Sequence, residues 1–221
     1  SLDMSIYDVT ISVAAGTYTN SANTLKQCLG AGHVYIVGDE STPSNVELAN
    51  TGVLNNHFSI TNVATTYHIR GFKLSNSSDA LLGLFVSGAS YLFFRNLDFG
   101  SFTTSSTHID AQFGGVIEAE GDWTVSGGAQ THMRALSTGV LRLNGRTITL
   151  SGTPAFSATL GFCRVERAGV AVVHSMTFTG SATGRRHNVN MNGAVYVAAA
   201  SATYLPGNSA GVVTSGGQYG A

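Results

Sequence analysis

The stretch VLRLNGRTITLSG, residues 140–152, decides the fold when set beside VIEAEGDWTVSG, residues 116–127. Gly145 of the first and Gly121 of the second hold the same place, 24 residues apart. Working outward, Asn96 lies 25 residues before Gly121 and Gly71 another 25 before that. Ser175 lies 30 beyond Gly145 and Ala200 a further 25. A second column, Gly88, Gly115, Gly139, Gly169 and Gly193, drifts with the first at spacings of 27, 24, 30 and 24. The long step in both is taken up by PAFSATLGF, residues 154–162.

Within each unit, short runs rich in Val, Ile, Thr and Phe alternate with period two, which predicts strands. Leu141, Leu143, Ile148 and Leu150 share an inward side, while Arg142, Arg146 and Thr149 point elsewhere. No stretch offers a useful amphipathic helix beyond a turn near NTLKQCLG, residues 23–30. A period near 25 built from strands and Gly/Ser/Asn turns predicts an all-β chain. Its strands form a parallel β-helix, about three to a coil, with coils stacked roughly 4.8 Å apart. Glycines are expected where corners need positive φ or close backbone approach. The predicted organisation is an entry or cap segment over 1–30, the β-helix over 31–205 and a Gly/Ser-rich tail over 206–221.

The repeat predicts the core by column. Phe72, Leu97, Trp123, Ile148 and Met176 form one inward stack, and Leu74, Phe99, Val125, Leu150 and Phe178 a second. Val86, Ala111, Ala135, Val165 and Val189 form a third, and Cys163 falls inward beside Met133. Cys28 and Cys163 belong to no CxxC or Cys/His cluster, so both are expected as free thiols, with no disulfide and no zinc site.

Composition narrows the function classes. Charged residues make up 10% of the 221 residues and the formal net charge is -1, with no basic stripe of the kind nucleic acid requires. Mean hydropathy is slightly positive. The longest apolar run, AVYVAAASA (194–202), is about half the roughly 18 residues of a membrane helix, so no membrane span is expected. The opening SLDMSIYDVTIS has neither an initiating Met nor a basic n-region, and the chain is expected to be a fragment.

The carboxylates fall mainly into cross-coil pairs. Glu118 and Glu120 alternate on one strand and share a face; about 7 Å apart, they could serve inverting glycoside hydrolysis. The stronger expectation is ion pairing on neighbouring coils. Glu120 lies over Arg95, Glu118 under Arg142, Asp98 over Lys73 and Asp110 under Arg134. Each such pair is worth about 0.2–1 kcal/mol. His108 and His132 hold equivalent places in successive coils and are expected to stack outward about 5 Å apart. They are the weak candidates for a metal, with no third ligand in the chain. Phe93, with Tyr67 or Tyr91 at coil corners, is the candidate for a glycan contact or a subunit interface. GRRHN, residues 184–188, is expected to be a solvated basic corner.

VTISVAAGTYT (9–19) followed by VYIVGDESTPSNVEL (34–48) resembles the first coils of pectinesterase-like and pectin-lyase-like β-helices. The ending SATYLPGNSAGVVTSGGQYGA (201–221), with SGTPAFSA and FTGSATGRRHNV, resembles phage and prophage tail-appendage proteins that carry such a β-helix. The resemblance spans most of the chain. It implies a right-handed β-helix in a fibre or spike of the virion, a homotrimer among other tail proteins, and contact with host surface glycan. RNLDFG (95–100), with Arg95 and Asp98, is the nearest echo of the pectinesterase-like site. A second matching Asp, the paired Gln, the polygalacturonase-like Asp pair and the calcium-binding Asp cluster are missing. The resemblance therefore carries no activity with it. The expectation is a structural component without cofactor; the alternative is a polysaccharide-binding or polysaccharide-degrading tailspike-type domain.

Overall fold

The computed structural model describes residues 3–20, 23–52 and 56–220. Among them the chain is almost entirely strands and turns. One 3₁₀ turn, Pro43–Asn45, interrupts it. The strands assemble into three sheets of nine, seven and eight members, and every pairing between them is parallel. As far as Ala194–Tyr196 successive strands visit the three sheets in rotation, each pairing with the third strand before it; the last two, Val212–Val213 and Gln218–Gly220, extend the eight- and nine-stranded sheets alone. This order is consistent with a solenoid, because hydrogen bonds run only between consecutive layers of chain.

Register turns the sequence period into columns. In the nine-stranded sheet Leu92, Ile117, Leu141, Ala171, Val195 and Tyr219 align. In the eight-stranded sheet Ile60, Val86, Ala111, Ala135, Val165 and Val189 align, as the third predicted column requires. Met133 sits beside Cys163; both are fully buried, and both cysteines are free. Two successive Ala sit between pairs of β-branched residues along that column, so small and larger side chains share the space between layers.

In the seven-stranded sheet, Trp123 pairs with Ile148 and Val125 with Leu150, as expected. The expected ends of these two columns are corrected. Ile148 pairs with Phe178, and Leu150 with Gly180. The 30-residue step is kept through the whole layer, and Met176 falls at the corner instead. There its side chain is buried and its N–H donates to Tyr204 Oη at 2.6 Å.

The glycine columns mark two kinds of corner. In the first, Gly71, Asn96, Gly145 and Ser175 take left-handed φ of 71°, 49°, 70° and 56°. In the second, at Gly115, Gly139, Gly169 and Gly193, two left-handed residues precede a glycine whose N–H closes the turn, while Gly88 is itself left-handed at φ 68°. Ser137 (φ 48°) and Thr138 (φ 67°) lead into Gly139, whose N–H donates to Leu136 O at 2.9 Å. A Cβ on Gly139 would lie 2.0 Å from Ala111 O in the preceding layer, so close approach excludes every other residue.

Strand pairing begins at Asp3 with Leu29 and Val9–Ser12 with Val34–Val37, and reaches Gln218–Gly220. The segments read as entry and tail thus contribute strands to the same sheets.

Candidate functional site

Parallel register stacks outward side chains as it stacks inward ones. On the outer face of the nine-stranded sheet, Tyr35, His68, Phe93, Glu118 and Arg142 fall in one row. Val37, Arg70 and Arg95 fall in the next, with Glu120 one residue beyond the last registered pair. The first row therefore runs from an aromatic ladder into a charged pair, Glu118 and Arg142, and on to Val172 and Tyr196.

The ladder is tight. Tyr35 and His68 stack at 4.3 Å between centroids, and His68 and Phe93 at 4.7 Å, with interplanar angles of 18° and 6°. Tyr91 leans on Phe93 at 4.8 Å, and the Arg70 guanidinium covers Tyr35 at 4.7 Å. Rings stacked face to face along the strand-pairing direction hold successive layers together.

The charged groups interlock with this ladder. Arg70 donates Nε–H and Nη2–H to the two oxygens of Glu120 at 2.6 and 3.0 Å. His68 Nδ1 lies 3.1 Å from Glu120 Oε2, and its Nε2 lies 3.0 Å from His33 Nδ1. With Nδ1–H given to the carboxylate, Nε2 is left to accept from His33. Burial works against ionisation of Glu120, but the bonds from His68 and Arg70 outweigh it and hold the carboxyl at about 2. Arg95 makes the equivalent fork to Glu40 at 2.6 and 3.0 Å, and Asn96 Nδ2 adds a third bond at 2.9 Å. Glu40 is held below its usual range, first by Arg95. Glu118 accepts the Tyr91 hydroxyl and faces Arg142 Nη1 at 3.6 Å; that same nitrogen donates to Tyr91 Oη at 2.9 Å.

The expected pairings are thus partly re-sorted. Glu118 with Arg142 stands, as does Asp110 with Arg134, a two-bond fork of 3.0 and 2.7 Å around a fully buried carboxylate. Glu120 takes Arg70 rather than Arg95, because the 38–45 loop folds over the corner and brings Glu40 to Arg95. Lys73 and Asp98 are in register, yet Lys73 Nζ reaches Glu47 at 3.4 Å, and Asp98 Oδ1 is buried without a hydrogen-bond partner.

Two other expectations are corrected. Tyr67 is buried, with its hydroxyl donated to Lys26 O at 2.5 Å, so it offers nothing to a glycan. His108 and His132 are fully buried. Alternation fails along Thr107–Gln112, where five consecutive residues are buried, and both imidazoles lie against Phe99 and Phe156, with Phe102 beside His108 and Trp123 and Phe162 beside His132. Trp123 Nε1–H donates to His132 Nε2 at 3.0 Å, which makes His132 the Nδ1–H tautomer. That proton faces His108 Nδ1 at 2.9 Å. Burial drives His108 down to about 3 and His132 well below its ordinary value, so the pair is a neutral part of the core. Among the described residues no group of three His, Cys, Asp or Glu side chains is arranged to hold a metal ion.

His33, Tyr35, His68, Arg70 and Glu40 were not singled out from sequence. His68 and Arg70 were findable: YHIRG (67–71) and LFFRN (92–96) align one period apart, placing His68 under Phe93 and Arg70 under Arg95. Glu40 was not, because a loop outside the repeat carries it.

No family model, curated protein or solved structure matches the chain. No helix among the described residues is long and apolar enough to cross a membrane.

Proposed function

We propose that the chain is a load-carrying segment of a phage or prophage tail fibre or spike. In this reading it is a right-handed β-helix of about three strands per coil, acts as a homotrimer with other tail proteins, and meets host surface glycan. One observation supports it above the rest: three parallel sheets stack layer on layer in register, with buried columns inside and a stacked ladder outside. Nine strands at roughly 4.8 Å give a rod of about 40 Å per segment. Val116, Val140, Val170 and Val172, half-exposed beside Tyr196 on the same outer face, suit burial between protomers. Light scattering on the purified chain is expected to give three times the mass of one chain; a monomer at micromolar concentration would overturn the trimer.

The alternative, a polysaccharide-degrading spike domain, draws on Glu118 and Glu120 sharing one strand face. Inverting hydrolysis needs one carboxyl held protonated and one ionised. Glu120, at about 2, cannot be the acid. Incubation with host polysaccharide is expected to release no reducing ends. Turnover that disappears in Glu118→Gln would establish the enzyme.

A further inference from the structure

Charge is divided sharply along the rod. Residues 1–130 carry eleven carboxylates against two lysines and two arginines, a net -7. Residues 131–221 carry seven arginines against Glu166 alone, a net +6. The small total conceals an acidic end and a basic end.

Four of those arginines gather along the outward side of the eight-stranded sheet and its entry corner. Arg134 and Arg164 are in register, and Asn188 follows Arg164. Arg134 is committed to Asp110 and Arg164 to Glu166, whose second neighbour is Asn190 Nδ2 at 3.0 Å. Arg185 and Arg186 join none of the ion pairs formed among the described residues. Arg185 Nη1–H and Asn188 Nδ2–H converge on Thr159 O at 2.6 and 3.0 Å, and Arg186 Nη1–H donates to Ser209 O at 3.2 Å. The Nε of each is buried without a hydrogen-bond partner. After burial, the fields of Arg186 and Arg185 are the next causes holding His187 at about 4.

We propose that this corner, built from Arg164, Arg185, Arg186 and Asn188, binds the carboxylate, sulfate or phosphate groups of an acidic polysaccharide. Fixed guanidinium forks suit such oxyanions, and carbonyl bonds already hold both free arginines in place. A nucleic acid fits less well. It would call for about 6–10 phosphate contacts along a track, and here the track runs into the acidic end within a few layers. The proposal deepens the host-contact reading by naming the kind of glycan.

The test is calorimetric titration of the intact chain with polygalacturonate, neutral dextran and a single-stranded DNA oligonucleotide. Polygalacturonate is expected to bind and to weaken with added salt, and dextran not to bind at this corner. Arg185→Gln with Arg186→Gln should lower polygalacturonate affinity about tenfold or more, given the strength of charge-assisted bonds. Lys73→Gln, at the acidic end, should leave it unchanged. The charge-keeping pair Arg185→Lys with Arg186→Lys guards against a folding defect, and should bind better than the Gln pair. No binding, equal binding by the Gln pair, or tighter binding of DNA than of polygalacturonate would overturn the proposal. None of these would touch the trimer reading, which stands or falls with the mass measurement.

Discussion

Mild acid should loosen this protein through its core before any surface ion pair breaks. His108 titrates at about 3 in the folded chain, against 6.5 for an unperturbed imidazole. His132 and His57 are shifted the same way, by burial first. A depressed histidine stays neutral in the native state while the unfolded chain takes up the proton, so stability falls as pH drops below about 6.5. The groups packed against His108 and His132 are each other and aromatic rings, with no carboxylate to reward protonation. For His108 alone, lowering pH from about 7.5 to 5 costs about 2 kcal/mol. His132 and His57 add to it with the same sign. Glu120 acts later: its folded value of about 2 stabilises above 4.5, and that stabilisation is lost only as pH falls from there. The window between about 6.5 and 4.5 therefore belongs to the histidines. Urea unfolding at pH 7.5 and pH 5 measures the difference directly, and His108→Phe should remove about 2 kcal/mol of the pH dependence while keeping an aromatic ring. A wild-type stability flat to within about 0.5 kcal/mol over that range would refute the reasoning.

Three further outcomes are expected. Gly139→Ala should cost more than about 2 kcal/mol, because its Cβ would meet Ala111 O at 2.0 Å, whereas Gly145→Ala, with open space but φ of 70°, should cost about 1 kcal/mol; thermal unfolding of the two compares them. Asp110→Asn strands Arg134 against a fully buried partner and should cost about 3 kcal/mol, with Asp110→Leu/Arg134→Met recovering most of it in chemical denaturation. Thiol titration should find two groups in denaturant but leave Cys163 unreactive in the native chain, since burial pushes its thiol up to about 12; a native reading of two would count against its buried placement.

The inward columns were legible because period-two alternation and the 24–25-residue step both survive in the sequence from Gly71 to Gly145. Where an inserted loop lengthens the step, hydrophobicity alone could not choose between Met176 and Phe178 as the partner of Ile148, since both are apolar and two residues apart, in the same phase. The outward expectation for His108 and His132 failed for another reason. Alternation assigns faces only while a strand runs straight, and at Thr107–Gln112 five successive residues are buried. An imidazole kept neutral and given one Trp123 bond is apolar enough to fill the resulting space. The pairing of Arg95 was not legible, because Glu40 reaches it from 55 residues away on a loop with no counterpart in the other layers.

The lengthened step has a use of its own. Between Leu150 and Cys163 the chain leaves the repeat, and yet Leu141 still meets Ala171 and Met133 still meets Cys163 in unbroken ladders. That corner accommodates extra length without passing strain to the layers on either side. A peptide epitope or a small affinity tag grafted between Ser157 and Leu160 would be displayed from a rigid stem, at the cost of the Thr159 carbonyl that fixes Arg185 and Asn188.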